Sequence, residues 1–156
     1  MSGTLSENTS YVATVSSEQQ RIADEGAAAE ESMLLAGTIE AAYLIAAADG
    51  EVTQEEADTL VEGIYKLTNI TQETLSTLYG VAAARHANEG QAARITALGG
   101  DIADAEHRRG AFLVAAAVSW KGGGIGVKQG LALQALARAF GIPINEMHKI
   151  LAKAHG

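Results

Sequence analysis

The run Asp49-Gly50-Glu51-Val52, followed by Glu56, carries the second half of a calcium-loop pattern. Asp at loop position five, Gly at six, an aliphatic at eight and Glu at twelve fall in register, because a hard cation is held by carboxylate oxygens around a sharp turn. The first and third ligand positions fall on Ile45 and Ala47, which offer no side-chain oxygen, so a regular EF-hand is excluded. Asp49, Glu51, Glu55 and Glu56 leave room for a loosely held divalent cation or a polar surface for a partner. A structural role explains the same residues: Gly50 turns the chain out of one helix, and the acids favour the N-terminus of the next. No other cofactor is expected.

A second pattern lies within residues 133–152. Ala137 and Gly141 are four apart, with apolar Leu136, Phe140, Ile142, Met147 and Ile150 at the spacing of a helix-turn-helix. Its second helix would present Asn145, His148, Lys149 and Lys153 to DNA, which makes DNA binding the alternative function. Residues 131–138 hold a single cation, Arg138, whereas a DNA reader shows a denser basic footprint, so nucleic acid ranks second.

The glycine loop 122–126 is not a phosphate loop. Val127 separates Gly126 from Lys128, Gln129 follows, and the preceding residues 112–118 read as helix rather than strand. Trp120 and Lys121 at its edge are candidate partner contacts, although the size of Trp120 favours burial as a core plug. His86, His107, His148 and His155 do not converge in sequence, and no nucleophile–base–acid order stands out. The expected protein is not an enzyme.

These residues must be positioned by helices. Of 156 residues, 31 are Ala and 17 Gly, against seven aromatics and one Pro. Ala is the best helix former and β-rich chains lean on other residues, so a single all-α domain is expected. With no Cys there is no disulfide framework, thiolate zinc site or Cys nucleophile, which fits a cytoplasmic protein. The N-terminus lacks a basic start and an apolar core, so no secretory signal is expected. The most apolar stretch, 33–48, includes Glu40 and is shorter than a bilayer span of about 20 residues, so no transmembrane helix is expected.

Residues 1–32 read as a polar, acidic arm leading into a helix that starts at the Ser17-x-x-Gln20 box, with a weak heptad at Val15, Ile22, Ala29 and Ala36. Residues 33–156 form the domain proper. A capping box at Thr53–Glu56 opens one helix and Thr71–Thr74 opens a further one, reaching about residue 87; a short helix over 91–98 stops at Gly99-Gly100, and another begins at Asp101 or Ala103. About seven helices are expected. The stretch from Val114 repeats that from Ile45: Val52 aligns with Ile125, Glu56 with Gln129, Leu60 with Leu133 and Leu67 with Phe140. Two related helical units, about 33–87 and 101–156, would thus share one core.

The phrase Ala47-Ala48-Asp49-Gly50-Glu51-Val52 with Glu56, the second Ala-rich helix, and Leu136-Ala137-Arg138-Ala139-Phe140-Gly141-Ile142 resemble the TerB-like domain. That family is associated with tellurite resistance and also occurs in membrane-anchored DnaJ-type co-chaperones. The resemblance spans about 33–154 and implies two related helical units in a stress-response or scaffold role. The second copy departs from it, carrying Ser119-Trp120-Lys121-Gly122 where the first has Asp-Gly, which weakens any acidic site built from both copies.

The net charge of −8 averages unlike halves. Residues 1–62 hold 13 acids and one base, or −12, while 63–156 hold six acids and ten bases, or +4. Opposite fields favour a protein partner, or self-association of the acidic N-terminal helix with the basic C-terminal half.

Overall fold

A computed structural model describes residues 17, 19–21, 31–50, 52–68, 70–121 and 125–155, with backbone alone at 67, 68 and 121. The arm over 1–16, heptad positions Val15, Ile22 and Ala29, the acid Glu51 and the glycines 122–124 lie outside the described residues. The chain divides into two compact units, Met1–Met33 and Leu34–Gly156. In the first, Ser17 and residues 19–21 are helical and exposed.

The protein is all-α, with no strand among the described residues. Helix α1 (31–46) runs into a 3-10 turn, Ala47–Asp49, ended by Gly50 at φ 130°. There follow α2 (Gln54–Thr68), α3 (Gln72–Glu89), α4 (Gln91–Asp101), α5 (Ala105–Lys121), α6 (Val127–Ala139) and α7 (Ile144–His155). The caps expected for α2 and α3 form. Thr53 Oγ1 accepts the Glu56 N–H at 3.1 Å, and Thr71 Oγ1 accepts the Thr74 N–H at 3.3 Å, satisfying donors that a helix start leaves open.

Ile39 and residues 41–45 of α1 are buried without a break, the mark of a helix enclosed on every side. α5 adds Ala111, Phe112, Ala115, Ala116 and Val118, and packs on α7, α2 and α6. Alanines let the axes approach, and the few large side chains fill what remains. Arg108 ties two helix ends together. Its guanidinium donates to the carbonyls of Ile102, Gly99 and Phe140, where the negative ends of α4 and α6 favour a cation.

Three boundaries differ from expectation. α4 continues through Gly99-Gly100 to Asp101, because Gly99 serves packing: a Cβ there would lie 2.5 Å from the Ala139 carbonyl oxygen of α6. α5 starts at Ala105, since Asp104 Oδ1 accepts the N–H groups of Glu106 and His107 at 2.9 and 3.0 Å. It also runs through Ser119 to Lys121, the Ser119 hydroxyl donating to Ala115 O at 2.9 Å. Finally, the helical stretch Glu31–Asp49 reaches 19 residues, so by length and composition it is long and apolar enough to cross a membrane. Core helices meet that test too, and 56% of this one's most apolar window is buried within the fold.

Candidate functional site

The end of α1, the start of α2, the end of α5 and the first turn of α6 enclose a pocket of about 470 Å3. Its floor is apolar, from Ala46, Leu60 and Val118; Thr53, Thr59, Ser119 and Gln129 add polar atoms, and Glu55 and Glu56 supply two carboxylates. The positions aligned by the internal repeat, Glu56 and Gln129, thus meet at one cavity. Their caps differ. Gln129 Oε1 accepts the Gly126 N–H at 3.4 Å, whereas neither Glu55 nor Glu56 pairs its carboxylate with a cation among the described residues.

The free capacity of this pocket is mostly acceptor. Thr59 donates its hydroxyl proton to Glu55 O at 2.9 Å and Ser119 donates its own to Ala115 O, which leaves oxygen lone pairs beside the two carboxylates. Of the residues expected to hold a cation, Glu55 and Glu56 come together, the exposed Asp49 does not line the pocket, and Glu51 lies outside the described residues. Among the described residues no group of three or more His, Asp or Glu is placed to hold a metal ion. Asp101, Asp104 and Glu106 are elsewhere, at the end of α4 and the start of α5.

A second polar cluster is one that sequence reasoning misses. Glu40, 2% exposed on α1, receives a bidentate fork from Arg94, 7% exposed on α4, with Nε–Oε2 at 2.7 Å and Nη2–Oε1 at 2.8 Å. Glu89 lies 3.3 Å and Asp101 3.8 Å from the same guanidinium, while Arg85 lies 3.8 Å from Glu40. The hydrogen bonds to Glu40 hold the Arg94 pKa above its ordinary value, against the cost of burial. Beside this cluster Tyr43 meets Tyr79 and His86 edge to face, with ring centroids 5.2 and 5.5 Å apart. Burial pushes both phenols up; for Tyr79 the charges of Tyr43 and Glu56 add to it. The available signal was Glu40 itself, a lone carboxylate in an apolar run, which is kept inside only when paired.

Trp120 is half-buried, its ring edge-on to His155 at 4.4 Å, with its buried Nε1 finding no acceptor among the described residues. It packs against α7; the side chain of Lys121 lies outside what is described. On α7, Asn145, His148, Lys149 and Lys153 are all exposed. Glu146 instead turns to α5, paired with Arg109 through two contacts, the longer at 3.1 Å.

Two surface carboxyls define an acid limb. Hydrogen bonding to Arg109 lowers the pKa of Glu146 from 4.5, and the His107 N–H lowers that of Asp104 from 3.8. A depressed folded-state pKa gives stability that is present above the unfolded value and lost as pH falls through the folded one. Melting temperature should therefore drop as pH falls below about 4.5, and the double variant Asp104→Asn, Glu146→Gln should drop less over the same range.

No known protein family, curated protein or solved structure matches this chain.

Proposed function

We propose that this protein is a non-enzymatic interaction module of the TerB-like type, serving in tellurite or general stress response, and that it docks a cationic group of a protein partner at the Glu55–Glu56 pocket. The observation that supports this reading is the pocket's chemistry: an apolar floor, the Thr59 and Ser119 hydroxyls already spent as donors, and two carboxylates with no cation of the described chain beside them. A lysine or arginine side chain offers the complement, an aliphatic stem for Leu60 and Val118 and N–H donors for the rim. The carboxylates also sit at the first turn of α2, at the positive end of its helix dipole.

Calorimetric titration of the full chain with an oligolysine peptide tests this. Salt-sensitive binding is expected, lost in the Glu55→Lys, Glu56→Lys variant while its circular-dichroism spectrum remains that of a folded helical protein. Calcium, manganese and zinc are the competing probes. Heat from a metal and none from the peptide would replace the protein partner by an ion, and silence from both would refute the site.

A further inference from the structure

The α6–α7 segment carries a full helix-turn-helix. Four residues, Phe140 to Pro143, join the two helices. Gly141 takes the left-handed conformation, φ 69°, and its N–H donates to Arg138 O at 3.1 Å while the Ile142 N–H donates to Ala137 O at 2.8 Å. This is the two-bond closure that ends a helix sharply and redirects the chain. Leu136, Ala137, Phe140, Ile142 and Met147 are all buried, so the turn and the inner face of α7 are anchored in the core, where α7 packs chiefly on α5.

The outer face of α7 is left to solvent. Asn145, Lys149 and Lys153 follow one another at four-residue steps, with His148 alongside, over a helix of 12 residues, about 18 Å long. Such a helix suits the major groove, about 12 Å wide. Over 127–155 the cations are Lys128, Arg138, Lys149 and Lys153, and the acid is Glu146. Arg109 pairs with that acid, which leaves Lys149 and Lys153 as the unpaired charges on the exposed side of α7. Lys128, Arg138, Lys149 and Lys153 are exposed and make no ion pair within the described chain.

We infer that α7 is a recognition helix for duplex DNA, with Asn145 and Lys149 facing base edges near its N-terminal half and Lys128, Arg138 and Lys153 facing phosphates. The occupant follows from charge and shape together: a polyanion with a groove as wide as one helix. Asn and Lys are also side chains that read adenine and guanine edges. This inference stands apart from the Glu55–Glu56 pocket and survives if that site fails.

The test is fluorescence anisotropy of the full chain with a labelled mixed-sequence duplex of about 20 base pairs, between about 50 and 200 mM salt. Saturable binding is expected at the lower salt, weakening roughly forty-fold at the higher if three cations contact phosphates. The Lys149→Ala, Lys153→Ala variant should bind at least tenfold more weakly with its melt unchanged. Lys66→Ala, on α2 and paired with Glu62 at 3.1 Å, should bind like the parent. No binding at the lower salt overturns the proposal, as does binding that the α7 variant retains. Vesicles of phosphatidylcholine and phosphatidylserine are the remaining arm: α7-dependent binding to them without binding to the duplex overturns it in favour of a lipid surface. The salt series uses the unaltered chain, so absence of binding at the lower salt refutes the proposal whether or not a variant folds.

Discussion

Arg94→Leu is expected to destabilise the fold by about 3–5 kcal/mol, read as a fall in the urea midpoint. The guanidinium is the bidentate partner of Glu40, which is 2% exposed in the middle of α1. Removing it strands a carboxylate in the core with only Arg85, 3.8 Å away and half in solvent, to offset it. The pair itself is a different matter. Two charges taken out of water gain little net stability, so Glu40→Leu, Arg94→Leu should recover much of the single-variant loss. The difference, measured as a double-mutant cycle, isolates the coupling between α1 and α4. A loss below about 1 kcal/mol for Arg94→Leu alone would show that Glu40 reaches water or protonates at little cost.

Phe112→Ala is expected to cost a similar amount, about 3–5 kcal/mol. Phe112 is 0% exposed on α5, the largest buried side chain of that helix beside Ala111, Ala115, Ala116 and Val118. Small neighbours set the interhelical spacing and cannot expand into the space it vacates, so the cavity term is retained. Thermal and urea unfolding with an unchanged slope would report this as lost packing. Phe112→Leu, which conserves more of the volume, should cost less than half as much.

What could be read from sequence was local. Thr53 and Thr71 announce their helices because a hydroxyl three residues before an open N–H is a nearby interaction. Gly99 misled, because a glycine that ends a helix and one that lets two helices touch are the same letter; only the Ala139 carbonyl 2.5 Å from its missing Cβ tells them apart. The internal repeat aligned Glu56 with Gln129 but could not show that both face one pocket with Ser119 and Leu60, which is a tertiary fact. Glu40 and Arg94 are 54 residues apart, and no local pattern links them.

The proposed docking function rests on chemistry that this chain itself carries, the carboxylates of Glu55 and Glu56 at the pocket. Its most direct test is a 1H–15N correlation spectrum of the full chain titrated with the oligolysine peptide. Docking at the pocket predicts shifts confined to the amides of Ala46, Thr53 to Leu60, Ser119 and Gln129, absent in the Glu55→Lys, Glu56→Lys variant. Shifts spread evenly over exposed acids such as Asp58, Glu73 and Glu106, or no shifts at all, would contradict it.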